Sequence, residues 1–432
     1  MKLIFLTPGT GSYHCGVCMR DNALANELIR MGHDAIVLPM YLPLTLDEGA
    51  ATSNAPVFFG GINVYLQQKF APFRYTPRWL DRLFDSPALL RMVGKFSGMT
   101  GGSEIGELTH SMLLGEDGRQ KKELNQLVAW LKHEKPDAVW LSTALLAGLA
   151  REIRKEVDVP VFCSLQGEDT FLDSLVAPWK ERCWTTLAER ARDVTAFVAP
   201  SRYFGELMAG RLALRDDQVR VLPNGISLEG YNGPATAPQE PVIGFLSRLY
   251  KGKGLGLVVD AFIELKRRGR FPRVRLKCVG TTTADDERYI AEQQQKLARA
   301  GIAQDASFHT NVSREEKIAF LHEIAMLSVP AEYGEAFGLY LVEAWAAGVP
   351  VVQPKHGAFP ELIEQTGAGL LFKPGKVMAL ADAWESLLGD PSKARELGRN
   401  GRAAVEERFS LTRLAEQLLE MSRLPAEEAP VS

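Results

Sequence analysis

Five cysteines in 432 residues give no disulfide framework, so a reducing, cytoplasmic setting is expected. The first apolar run, Leu3 to Leu6, stops at Thr7-Pro8-Gly9; it is too short for a signal-peptide core or a membrane span and reads as a buried strand. A formal net charge of −3 gives no global pull toward nucleic acid or an anionic membrane, so no nucleic-acid partner is expected and any such attraction must be local. No G-x-G-x-x-G opens the first helix, which removes the dinucleotide fingerprint. Low-complexity sequence is confined to the tail from Pro425 to Pro430.

What remains is a chain long enough for two or three domains, with an ordinary 46% hydrophobic and 24% charged content. A strand at 2–6, a glycine-containing loop, a helix at about 20–31 closed by Gly32 and a strand at 34–39 make the opening of a doubly wound domain. In that loop His14-Cys15-x-x-Cys18 reads either as a redox pair or half a metal site, or as small residues filling turn positions; no second Cys-x-x-Cys completes four ligands. The pattern loosens over 50–123, where 59–66 reads as a strand. The segment 69–96 is basic and amphipathic, with Trp79, Leu80, Leu83 and Phe84 beside Arg78 and Arg82. Such a segment can lie on the inner face of a membrane and meet a lipid-linked acceptor; the other reading is a helix over an acceptor cleft or in the core. Alternation of strands and helices resumes at 123 and implies a mainly parallel sheet. A Gly-, Pro- and Ala-rich stretch at 229–240 reads as a hinge, and a second alternating series follows it.

The densest pattern lies between Pro330 and Pro360. Glu335 falls on a loop before a helix-period apolar run of Leu339, Val342 and Ala346, and Glu343 lies within that run. At about 1.5 Å rise per residue, their eight-residue separation would span roughly 12 Å, which is too far for a glycosidase acid/base pair. It suits the two ends of an extended ligand. Between them the amides near Phe337, Gly338 and Leu339 form a helix start that favours a phosphate, and Gly338 lets a ligand approach the backbone. A sugar at Glu335, a diphosphate at the helix start and a ribose at Glu343 describe a nucleotide-sugar.

Glu335-Ala-Phe-Gly-Leu-x-x-x-Glu343-Ala followed by Gly348-Val-Pro350-Val resembles the two-glutamate motif of retaining GT-B glycosyltransferases, in particular glycosyltransferase family four. The resemblance implies an α/β fold of two Rossmann-like doubly wound domains facing across a cleft. It places donor-sugar and phosphate contacts on Glu335, Phe337, Gly338 and Leu339, and the ribose contact on Glu343. Ser247-Arg248 to Lys253-Gly254 is similar to the family's Gly-Arg-x-x-x-x-Lys-Gly, so Arg248 and Lys253 take the two cations that neutralise a leaving diphosphate. Gly16 aligns with the second glycine of the family's first-loop turn, which makes it a donor-binding candidate, with Cys15 and Cys18 where glycines are usual. Many members carry a histidine where this chain has Gln166-Gly167-Glu168-Asp169. Gln166 cannot titrate, and Gln166 and Asp169 are the acceptor-side candidates, with Glu168 and Asp169 otherwise solvated loop carboxylates.

The domains expected are 1–230 for the acceptor, 231–408 for the donor, and 409–432 as a helix crossing back to the first domain plus tail. The implied activity is hexosyl transfer from a nucleotide-diphosphate sugar to a hydroxyl of a glycan, lipid-linked or small-molecule acceptor, with retention and with no metal or other cofactor. Two other readings stay open: an epimerase of the same fold, and a non-catalytic nucleotide-sugar- or glycan-binding homologue.

Overall fold

A computed structural model of the chain describes residues 1–9, 16–42, 51, 58–76, 102–231 and 240–423. It falls into two compact units, one of Met1–Pro223 with Leu414–Ser432, the other of Asn224–Arg413.

The first unit is built on a six-stranded, all-parallel sheet with order β2-β1-β3-β4-β5-β6. Its strands are β1 (Lys2–Thr7), β2 (Asp34–Pro39), β3 (Ala138–Leu141), β4 (Val161–Ser164), β5 (Ala196–Ala199) and β6 (Val219–Val221). The central strands read as unbroken apolar runs because helices cover both faces, and β3, β4 and β5 are buried along their whole length. Register places Phe5 beside Trp140 and Trp140 beside Phe162. Their rings stack across three strands with centroids 6.3 and 4.9 Å apart. The Trp140 indole N–H donates to Ser422 Oγ at 3.1 Å, so the helix Leu411–Ser422 packs on this sheet although it follows the second unit in sequence.

The second unit repeats the plan with order β12-β11-β10-β7-β8-β9, again parallel. Its strands are β7 (Val242–Leu246), β8 (Arg275–Gly280), β9 (Ala306–Thr310), β10 (Met326–Leu327), β11 (Val351–Pro354) and β12 (Gly369–Phe372). The chain runs outward from β7 through β8 to β9, then returns to the other side of β7 as β10. Strand order therefore reverses between β7 and β10, and in open α/β sheets ligands bind beyond the carboxyl ends at such a point. Behind them lies a buried polar set: Trp384 Nε1 donates to Ser328 Oγ at 2.8 Å, Ser328 Oγ donates to Val352 O at 2.8 Å, and Gln353 Oε1 accepts from Val329 N at 3.1 Å.

Several local expectations are corrected. Residues 59–66 do not form a strand; a helix runs over Gly61–Lys69, with Asn63, Val64, Gln67 and Gln68 buried at helical spacing. The first helix is Gly16–Arg30, starting at the glycine rather than near residue 20. The apolar run Val349 to Val352, which reads as a strand from sequence, enters β11 only at Val351, because Val349 N caps the Glu343 helix on Ala344 O at 2.9 Å. Most of the basic segment 69–96, together with His14 and Cys15, lies outside the described residues; Lys69 pairs with Glu104. Among the described residues no helix is long and apolar enough to cross a membrane.

Candidate active site

In the second unit the loop after β7 carries Arg248 and Lys253, and the loop after β10 carries Glu335. Gly254 adopts φ +78°, and a Cβ there would stand 2.0 Å from Pro330 O, so only glycine lets the two loops close on each other. Glu332 N completes the stitch on Gly252 O at 2.9 Å. Gly254→Ala is expected to lower stability by about 2–4 kcal/mol through αL strain plus a backbone clash, read as a drop in denaturant midpoint with m unchanged.

That closure brings Lys253 and Glu335 together. Lys253 Nζ pairs with Glu335 Oε2, and both side chains are largely buried, 16% and 13% exposed. Tyr340 Oη donates to the same oxygen at 3.0 Å, and the ammonium also stands 5.1 and 5.6 Å from the ring centres of Tyr333 and Tyr340. Burial, with the Glu335 charge beside it, pushes the Tyr340 phenol well above its ordinary value, so it stays a donor. The Glu335 backbone is held from behind: Ala358 N donates to Glu335 O at 2.9 Å, and Gly357, at φ +60°, leaves no room for a Cβ beside Glu335 N. His356 places Nε2 2.9 Å from Ala331 O and so fixes the same loop.

Arg248 does not join this cluster. Its guanidinium grips Asp286 through Nε at 2.8 Å and Nη2 at 3.2 Å, and reaches Thr283 Oγ1 at 3.0 Å. Asp286 is the N3 residue of the helix Ala284–Arg299 and completes a capping box with Thr283. Burial acts against the Asp286 charge, but the Arg248 and Thr283 hydrogen bonds outweigh it and hold the carboxyl below its usual range. A folded-state pKa depressed in this way contributes stability above the unfolded value near 3.9, and that stability is lost as pH falls through the folded value. Asp286→Asn is therefore expected to cost about 1 kcal/mol at pH 7, a difference that shrinks below pH ~4 in urea titrations. Tyr250 links the two cations: its ring centre lies 5.0 Å from the Arg248 guanidinium carbon, and its hydroxyl is 3.4 Å from that of Tyr333.

The helix start matches expectation in kind and departs in geometry. The helix spans Leu339–Ala346, with Gly338 as N-cap at φ +87° and no side-chain cap. Glu335 lies before that start, so only four residues of its separation from Glu343 are helical. They account for about 6 Å of the rise, and loop makes up the rest. Leu339 is the first helical residue, and Phe337 is buried with its ring 6.1 Å from that of Phe409. Glu343 meets Lys317 Nζ at 2.6 Å, a partner 26 positions away that no local pattern announces.

In the first unit Gly16 is the exposed opening residue of its helix beyond β1. Gln166 and Asp169 lie beyond β4. Glu168 between them is no solvated carboxylate: it is buried and accepts from Thr143 Oγ1 at 2.8 Å, Ala144 N at 2.9 Å, Gln166 N at 2.8 Å and Gly167 N at 3.1 Å. It ties the β3 and β4 loops together. Asp169 is part-buried, and burial raises its pKa. Cys18 is buried, with Thr7 Oγ1 3.4 Å from its Sγ; among the described residues no three His, Cys, Asp or Glu side chains are grouped to hold a metal.

A model of the glycosyl transferase 4-like domain matches residues 20–225, and a model of the glycosyl transferases group 1 family matches residues 232–404. The D-inositol 3-phosphate glycosyltransferase of Nocardia farcinica is 26% identical over 69% of this chain and 64% of its own length. The alpha-maltose-1-phosphate synthase of Mycolicibacterium smegmatis is 30% identical over 57% of this chain and 66% of its own. The chain thus spans just under two thirds of the length of either relative. Among solved structures, the sucrose-phosphate synthase of Thermosynechococcus elongatus superposes with a TM-score of 0.70 at 18% identity, covering 98% of each chain. Anabaena Alr3699/HepE, solved in complex with UDP, gives 0.65 at 18% identity over 98% of this chain and 99% of its own. The twin parallel sheets are those of the GT-B fold, and with one model on each unit the chain belongs to the glycosyl transferases group 1 family.

Proposed function

We propose that this chain moves a hexosyl group from a nucleotide-diphosphate sugar to an acceptor hydroxyl, with retention at the anomeric carbon and without a metal ion. The observation that carries the reading is the Lys253–Glu335–Tyr340 cluster at the β7/β10 switch point, beside a helix start that lacks a side-chain cap. Unpaired amides at a helix start favour a diphosphate, and Lys253 adds charge where the leaving group forms. Glu335, held by Tyr340, addresses the sugar, while Glu343 takes the ribose. Arg248, fixed by Asp286, stands at the adjoining strand end as the second cation. Anabaena HepE has been solved with UDP-glucose, and relatives include an MMP alpha-(1->4)-mannosyltransferase, which supports a nucleotide-sugar donor and a hexosyl group.

On this reading the protein supplies position and charge rather than a nucleophile, and the departing diphosphate takes the acceptor proton. Residues 1–230 hold the acceptor, with Gln166 and Asp169 beyond the carboxyl end of β4, and residues 231–408 hold the donor. Proton NMR of the first-formed product tests retention: an α-linked donor should give an α-linked product in EDTA at the same rate as in magnesium. A β-linked product, or activity abolished by EDTA and restored by magnesium, would overturn this reading.

A further inference from the structure

Each of the two motif glutamates meets a lysine sent from another part of the second unit. Glu335 pairs with Lys253, and Glu343 Oε1 accepts from Lys317 Nζ at 2.6 Å. The first pair belongs to the cluster already described. The second has no part in it.

Lys317 is delivered by a fixed element. The helix Arg314–Glu323 follows β9, so its start lies at the carboxyl edge of the sheet. A capping box closes that start, with Glu316 N donating to Ser313 Oγ at 3.2 Å and Ser313 N donating to Glu316 Oε2 at 2.7 Å. Lys317 N donates to Ser313 O at 2.9 Å, and Ile318, Phe320 and Leu321 are buried and seat the helix. Glu343 stands on the helix Leu339–Ala346, between the buried Val342 and Ala344. Both charged side chains are largely withdrawn from water, Lys317 at 22% and Glu343 at 13% exposed. A carboxylate in such surroundings carries a desolvation cost that a cation offsets, and Lys317 is the only cation paired with it among the described residues. Such a pair adds little net stability once that cost is met, so its effect is chiefly on orientation. With Oε1 held, rotation of the carboxylate is restricted. Oε2 takes no hydrogen bond from the described residues and is not sealed from solvent, which leaves it as the oxygen that meets a ligand. A sugar hydroxyl donating to it makes a charge-assisted bond, strong only when the acceptor already points the right way.

We propose that Lys317 is a positioning residue for ribose recognition: by holding Oε1 of Glu343 it aims Oε2 at a ribose hydroxyl, so that the site separates ribonucleotides from their deoxy forms. The inference rests on the ribose assignment of Glu343 made above. Calorimetric titration of the full chain with UDP, GDP and ADP and with the 2′-deoxy and 3′-deoxy form of each tests it. The wild type should bind one of the three, and should bind the form lacking the contacted hydroxyl at least about tenfold more weakly, as expected for a hydrogen bond to a charged group. Lys317→Met should bring that ratio below about threefold, as should Glu343→Gln, and the double variant should lose no more than either single one. Lys317→Arg, which keeps the cation, should restore most of the ratio.

A variant that is merely less stable binds both forms more weakly by one factor, so the ratio does not move with folding. Lys317→Met with the wild-type ratio would mean that the pair only fastens two helices, and overturns the proposal while the donor site stands. A wild type that binds a nucleotide and its deoxy forms equally overturns the ribose assignment together with the proposal. A wild type that binds none of the three overturns the donor reading itself, so the failures are distinguishable.

Discussion

Lys253→Ala and Glu335→Gln should each lower kcat/KM for hexosyl transfer by about 10²–10³-fold, the loss expected when one preorganised charge is removed from a developing anion or the group that positions it. The two side chains touch and Tyr340 holds the carboxylate from the other side, so they act as one unit. The double variant should consequently be little worse than either single one. Lys253→Arg is not expected to rescue: the ammonium sits between the Tyr333 and Tyr340 rings, where a planar guanidinium changes both shape and direction of donation. The Lys253 effect should fall mainly on kcat, since the diphosphate gains charge as it leaves, while loss of Glu335, which holds the donor sugar, should also weaken donor binding. Chemical-quench kinetics at saturating donor separates this from simple loss of binding.

Arg248 should behave differently. Arg248→Ala is expected to weaken donor binding by about 100-fold, close to 2.7 kcal/mol, because a guanidinium held by two contacts to Asp286 loses little freedom on meeting a phosphate. Asp286→Asn keeps that cation but relaxes its fixation, and a loss of about tenfold is expected. In the Arg248→Ala background the Asp286 change should add almost nothing, because its effect on the donor runs through Arg248. Titration of donor into the four proteins gives the cycle. Equal losses in both backgrounds would mean that Asp286 acts through its helix alone.

Much of the architecture was legible because strands buried on both faces are written as apolar runs and helices between them as 3.6-residue periods. Both sheets, the cap at Gly338 and the loop glycines show that logic. The failures have physical causes. Residues 59–66 mix glycine, β-branched and aromatic residues, and only the burial of Gln67 and Gln68 beside a second helix reveals the helical period. The site was legible where its residues are close in sequence, as from Glu335 to Glu343. Asp286 could have been found, since Thr283-x-x-Asp286 is a capping-box signature. Lys317 could not, because its contact with Glu343 is made 26 positions away by the return of the chain; Tyr340 is only five residues from Glu335, but the loop between them is not helical and no regular spacing announces the contact. Glu168 was misread for the same reason: its four donors come from two loops.

A nucleotide-sugar site in the second unit built on Arg248, Lys253 and Glu335 should reveal itself in thermal denaturation of the full chain with UDP, GDP, ADP and their common sugars, in EDTA and in magnesium. A ligand at ~100 times its dissociation constant adds about 2.7 kcal/mol, or roughly 5–10 °C in the unit that binds it. One nucleotide family should give that shift equally in EDTA and magnesium, and Arg248→Ala and Glu335→Ala should abolish it. No shift from any of them, or one undiminished in both variants, would mean that these residues form no nucleotide-sugar site.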